Sequence, residues 1–182
     1  MQDRYIALLR AINVSGKNKV PMAKLRSICT QIGFEGVQTY IQSGNVVFVS
    51  RISVGALERC LEAAIAQEFD ITIPVVVRNA ASWKRYVRSN PFLNEAKNDA
   101  NWVLLCLSKR PPAAKAASEL QQRATQGELV AKKGDAIWIH YANGIGRSKL
   151  TPAMLDRHVG SSVTARNWKT VLKLDELVQG IA

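Results

Sequence analysis

The sequence predicts an α+β protein made of two consecutive βαββα-type units with antiparallel sheets, over residues 1–91 and 92–182. Three observations predict it. Apolar runs of strand length alternate with segments whose apolar residues recur every three to four positions. Short turn-forming stretches fold a pair of strands into a hairpin in each half, and one order of elements occurs twice. With 47% apolar residues among 182, the chain can bury a core of this size, which excludes a disordered protein.

Residues 4–12 (RYIALLRAI) are a mostly apolar run of strand length, and 13–20 (NVSGKNKV) are a basic loop of turn formers. Pro21 suits the first helical position. Met22, Leu25, Ile28, Cys29 and Ile32 then share one face, and Gly33 is a stop signal. Residues 37–42 alternate, Ser43-Gly44-Asn45 turns the chain, and 46–49 return as a β-branched strand. Val54, Leu57, Leu61, Ile65 and Phe69 mark a second amphipathic helix, followed by the short strand 74–78 (PVVVR).

A helical segment at 80–89 and a break at Asn90-Pro91-Phe92 separate the halves. Residues 102–107 read as a strand, and Pro111-Pro112 opens an Ala-rich helix ending near Thr125. Strands 127–133 and 136–141 join at Gly134-Asp135, a two-residue hairpin with Gly first. Thr151 is a candidate N-cap before Pro152, and residues 168–178 are a final amphipathic helix. The second half therefore reads βαββα with an extra helix. Two such units form the plan called ferredoxin-like, repeated in element order without a residue-level repeat; one larger mixed sheet is the alternative.

Lys and Arg number 25 against 14 Asp and Glu, a formal charge of +11 spread evenly over both halves. Such a field draws phosphate-bearing partners, and an even spread also serves solubility. Cys29, Cys60 and Cys106 stand singly in apolar patterns without a CxxC pair, so they are expected as buried, reduced thiols, with no disulfide framework and no metal site. The beginning of the chain lacks a charge-then-apolar leader pattern and the first apolar run is cut by Arg10, so no signal peptide and no membrane span are expected. The expected location is the cytoplasm.

The run YIALLRAINVSGKNKVPM, the hairpin IQSGNVVF, GRSKLT at 146–151 and TARNWKTVLKL at 164–174 resemble the bacterial family known as domain of unknown function 1697. The resemblance implies a soluble bacterial protein with two ferredoxin-like subdomains and carries no activity. Its pattern falls on Arg10, Asn13, Gly16, Lys17, Asn18, Ser43, Gly44, Asn45, Gly146, Arg147, Lys149, Arg166, Asn167, Trp168 and Thr170. Ala11 and Ser15 replace the family's usual glycines, and Lys169 its usual Asn. A Cβ at 11 and 15 restricts positive φ and the close approach of a ligand to the backbone.

Two basic loop-to-helix junctions, at 13–19 and 144–152, and a third at 164–168 suit an anion, because helix N-termini carry unpaired N–H groups and partial positive charge. Walker and GxGxxG fingerprints are absent, and a solvated basic loop is the competing reading. Thr164 is a candidate N-cap, which would put Arg166 in a first turn where it opposes the helix dipole unless an anion is near. Arg10 interrupts an apolar strand and needs an anion or an internal partner such as Glu35 or Asp70; Arg78 shares that ambiguity. Tyr40, Ser43 and Asn45 are candidates to line a groove with Arg10. The four tryptophans are expected as core anchors, with Trp138 beside His140 a further candidate for stacking. His140 and His158 stand in no metal-ligand spacing, and no nucleophile motif appears.

The expected function is binding of a phosphate-bearing small molecule or nucleotide in a basic cleft between the subdomains, without a cofactor. The expected ligand-binding residues are Arg10, Asn13, Lys17, Asn18, Tyr40, Ser43, Asn45, Arg147, Lys149, Arg166 and Asn167. One alternative is a nucleic-acid-binding module without sequence specificity, since SGNVVF lacks the paired aromatics of RNA-recognition strands. Another is an enzyme acting on an anionic substrate, with Lys17, Lys149, Tyr40 or Ser43 as reacting groups.

Overall fold

The computed structural model describes residues 3–14 and 16–181. Met1 and Gln2, which begin the segment read for a leader, and Ser15 of the first basic loop lie outside the described residues. The element order is β1 (Asp3–Leu9), α1 (Met22–Gln31), β2 (Glu35–Tyr40), β3 (Asn45–Ser50), α2 (Val54–Phe69), β4 (Val75–Asn79), α3 (Ala80–Arg88) and α4 (Leu93–Asn98). It continues with β5 (Val103–Ser108), α5 (Ala116–Arg123), β6 (Glu128–Lys133), β7 (Ala136–Tyr141), a 3-10 turn (Ile145–Arg147), α6 (Pro152–Val159), β8 (Val163–Asn167) and α7 (Trp168–Gly180).

Two four-stranded sheets result, ordered β2-β3-β1-β4 and β6-β7-β5-β8, and every strand pair is antiparallel. Each unit is therefore βαββαβ with ferredoxin-like strand order. The chain divides into two compact units, Met1–Lys84 with Lys173–Ala182, and Arg85–Leu172, so the division falls inside α3 and inside α7.

In the first unit, Tyr5, Ala7, Leu9, Val46, Phe48, Val75 and Val77 point from the sheet toward Leu25, Ile28, Leu57, Leu61 and Ile65 of the helices. Phe34 stacks on Phe48 with ring centroids 4.2 Å apart. In the second, Leu104, Cys106, Ile137, Ile139 and Tyr141 face Ala116, Leu120, Leu155 and Val159. The alternation of strand side chains makes this one face only. The other face of the first sheet, with Ile6, Leu8, Val47, Val49 and Val76, is also buried.

Helix side chains complete the outer strands. Glu58 and Glu62 of α2 accept from the N–H groups of Val77 (3.0 Å) and Val75 (2.8 Å) in β4. These N–H groups face away from β1, because the ladder pairs Arg10 N–H with the Pro74 carbonyl. In the second unit Gln121 of α5 both donates to the Glu128 carbonyl and accepts from Val130 N–H in β6. Asp156 of α6 likewise accepts from Val163 N–H in β8 (2.8 Å).

Several local expectations are corrected. Residues 163–167 form β8, so Thr164 is no N-cap and Arg166 lies in a strand; Asn167 caps α7, accepting from Thr170 N–H at 2.9 Å. The pairing of β8 with β5 overrides the cap-like look of Thr164. Pro21 sits at the N-cap of α1, one residue before its first turn. Trp102 is 38% exposed and is no core anchor, whereas Trp83 and Trp138 are fully buried. Cys60 is exposed on α2, while Cys29 and Cys106 are buried, where desolvation pushes both thiols up to about 12.

Candidate functional site

The first basic loop leaves β1 at Leu9, and its shape follows from one asparagine. The Asn13 amide nitrogen donates to the Val20 carbonyl (3.0 Å) and to the Gln42 carbonyl (2.8 Å), and its oxygen accepts from Val20 N–H (2.9 Å). Asn18 donates from its side chain to the Ala11 carbonyl (2.9 Å) and accepts on its own carbonyl from Asn13 N–H (3.1 Å). Lys17 N–H donates to Val14, and the Lys17 side chain stands exposed. Arg10 is half-buried just beyond β1.

Ala11 takes φ +53°, so the methyl group expected to exclude a left-handed backbone is instead held in one. That conformation costs an L-residue about 1–2 kcal/mol, and a glycine's extra freedom when unfolded offsets about half of it. Ala11→Gly is therefore expected to raise stability by about 0.5–1 kcal/mol in urea unfolding. A loss of stability would show that the Ala11 Cβ makes a needed contact.

The tip of the first hairpin packs against this loop. Asn45 is fully buried, donating to the Tyr40 carbonyl (2.9 Å) and to Ser43 Oγ (3.0 Å). Leu9 N–H donates to the Gly44 carbonyl (2.8 Å). Tyr40 is half-buried at the end of β2, next to Ile41, which is exposed and has φ +49°. Asn13, Asn18, Ser43 and Asn45 thus direct these polar contacts to the chain itself, and Lys17 faces solvent.

The second basic loop is built on a buried acid. Glu128 is 2% exposed and accepts from Gln126 N–H (2.7 Å) and from the Ser148 hydroxyl. Burial alone would push its carboxyl up, but the Ser148 hydroxyl and the backbone N–H donors together hold it below its ordinary value. Ser148 Oγ also accepts from Leu150 N–H (3.1 Å), and Thr151 Oγ1 caps α6 by accepting from Met154 N–H (3.3 Å). Ser148 is pinned inward. Its neighbours Arg147 and Lys149 are exposed.

Arg166 is 8% exposed in β8, and desolvation lowers its guanidinium to about 10, so it remains charged at neutral pH. Its Nη1 donates to Thr164 Oγ1 (2.9 Å) and to the Ala165 carbonyl (2.8 Å). The first unit repeats this arrangement at Arg78, whose Nη1 donates to the preceding Val77 carbonyl at 2.8 Å. In register the two arginines are equivalent: Ile6 lies between Val47 and Arg78, and Leu105 between Trp138 and Arg166. The next residue caps a helix in both, since Asn79 accepts from Ser82 N–H (2.8 Å) as Asn167 does from Thr170 N–H. Residues 78–82 (RNAAS) and 166–170 (RNWKT) are thus a short repeat between halves that element order alone did not reveal.

Residues 2–138 match the family described as "Protein of unknown function (DUF1697)". The chain belongs to the DUF1697 family. No curated protein matches it. It is also similar to the solved structure of a conserved bacterial protein from Streptococcus pneumoniae, at 25% identity and a TM-score of 0.75, over 98% of this chain and 99% of that one. The family match ends before Arg147, Lys149, Arg166 and Asn167, while the structural likeness includes the region that holds them. Among the described residues of this DUF1697 protein, no group of three His, Cys, Asp or Glu side chains is arranged to hold a metal ion, and no helix is long and apolar enough to cross a membrane.

Sequence reasoning passed over Glu128, and it dismissed His158, whose ring bonds Glu119 across 39 positions. Neither has a local motif. The Arg-Asn repeat did have one, visible only when both strands are known to end at the asparagine.

Proposed function

We propose that this DUF1697 protein binds a phosphate-bearing small molecule or nucleotide through basic side chains on its internally fixed loops, with the cytoplasm as its setting. The observation that carries this reading is a shared construction. Asn13 ties down the loop that exposes Lys17, and the Glu128–Ser148 bond ties down the one that exposes Arg147 and Lys149. Loops ordered at folding lose little further entropy on binding, and cationic side chains on a fixed backbone meet an oxyanion with less reorganisation. Arg10, Tyr40, Ser43, Asn45, Arg166 and Asn167 join the proposal as flanking residues. Three unpaired thiols accord with a reducing compartment.

Calorimetric titration with a panel of nucleotides and sugar phosphates tests it. At least one ligand should bind wild type, and Lys17→Ala and the pair Arg147→Ala/Lys149→Ala should each weaken it about tenfold, the effect of one charge-assisted contact. Equal affinity in folded variants sinks the reading.

The net charge of +11 favours one second reading, backbone-level nucleic-acid binding. The face of the first sheet opposite α1 and α2 carries Ile6, Leu8, Val47, Val49 and Val76, which are buried and provide no ring for base stacking. Gel shifts over a salt series decide this: a complex whose affinity falls steeply with salt supports it, and no complex at low salt rejects it.

A further inference from the structure

We propose that the second unit holds an oxyanion site for a phosphate monoester or inorganic phosphate, formed by Arg123, Arg157 and His158 between α5 and α6. The inference goes beyond the loop reading, since none of the three lies on either basic loop.

A cavity of about 290 Å³ is lined by Arg123, Thr151, Ala153, Met154, Arg157 and His158. That volume suits a phosphate with a small ester group better than a drug-sized ligand. Arg123 ends α5, while Arg157 and His158 lie in the last turn of α6. The ring of His158 is fixed from behind. Its Nδ1 lies 3.0 Å from Glu119 Oε2, and the other Glu119 oxygen holds Lys115 Nζ at 2.9 Å.

These bonds assign roles. Glu119, held below its ordinary carboxylate value chiefly by the His158 and Lys115 bonds, is ionised and accepts from Nδ1–H. That leaves Nε2 as the ring nitrogen open to a ligand in the cavity. A carboxylate orienting one ring nitrogen while the other meets the ligand is a recurrent way of positioning an imidazole. Thr151 Oγ1 already accepts from Met154 N–H, so its own proton is available to donate.

The charge balance selects the ligand's sign. Lys115, Arg123 and Arg157 are cationic, and the one carboxylate among these residues, Glu119, is engaged by Lys115 and His158. Neither Arg123 nor Arg157 has an ion-pair partner among the described residues. Two planar guanidiniums and a hydroxyl match the several acceptor oxygens of phosphate, guanidinium geometry allows bidentate contact, and the His158 ring donates to a further oxygen from Nε2 when it carries both protons.

Inorganic phosphate titrated into the full chain tests the proposal, read by calorimetry and by the ring-nitrogen resonances of the histidines. Saturable binding should move the His158 Nε2 resonance and leave His140 in place. Arg123→Gln and Arg157→Gln, both at exposed positions, should each weaken binding about tenfold, as loss of a charge-assisted contact does, and His158→Gln several-fold. Lys97→Ala, on α4 and on neither the basic loops nor the cavity lining, should leave phosphate affinity unchanged. The proposal is overturned by unsaturable binding, by unchanged affinity in Arg123→Gln and Arg157→Gln, or by loss confined to the loop variants; that last result would place phosphate on the loops and favour the other reading.

Discussion

Gly44→Ala is expected to destabilise the protein by about 2–5 kcal/mol, combining a left-handed backbone with an overfilled contact. Gly44 has φ +74°, and a Cβ there would stand 2.6 Å from Ile12 Cδ1 and 2.7 Å from Leu9 Cβ. The Ile12 atom ends a flexible side chain and can move. Leu9 Cβ is fixed to the strand backbone, and Leu9 N–H is bonded to the Gly44 carbonyl, so relief would require opening the contact between β1 and the hairpin tip. Because Asn13 donates to Gln42 in that tip, the loop carrying Lys17 should loosen as well. Urea unfolding of the variant should show a lower midpoint. A change below about 1 kcal/mol, smaller than the backbone cost alone, would contradict the packing described.

The second large effect is expected at Glu128. Glu128→Ala should cost about 2–4 kcal/mol, since it leaves the half-buried Ser148 hydroxyl and Gln126 N–H without their buried acceptor. Its pH dependence has a defined sign. The folded carboxyl lies below the ordinary value of 4.5, so its contribution is fully present above 4.5 and is lost as pH falls through the folded value. Wild type should therefore lose stability in that acid window more steeply than Glu128→Gln. Glu119 is also held low and acts in the same direction, which is why the comparison is between proteins at each pH. Parallel acid limbs in wild type and Glu128→Gln would show that Glu128 does not carry the linkage.

The ferredoxin-like plan was legible because hairpins and amphipathic helices write their periods into the chain. Gly134-Asp135 and Thr151-Pro152 do in the structure what turn and cap chemistry says they should. Strand β8 was not legible. TARN contains a cap-like threonine and a charged residue, and only its ladder to β5 makes it a strand. Side-chain partners were harder still. Asparagine at 13, 18 and 45 looks the same whether it faces a ligand or a carbonyl of its own chain, and distance along the sequence hid both Glu128–Ser148 and Glu119–His158. The separate exposures of Cys60 and Trp102 depend on which face of each element meets the core, and single-residue hydrophobicity does not encode that.

The glutamates that complete β4 bear on what this protein can recruit. Peptides commonly attach to a sheet by adding a strand along a bare margin, and chains aggregate by the same route. A newcomer at β4 would first have to evict two carboxylates from Val75 and Val77, and one at β6 would have to evict Gln121, which imitates a neighbouring strand by giving and taking one hydrogen bond. Those margins are closed to β-augmentation by side chains the fold itself supplies.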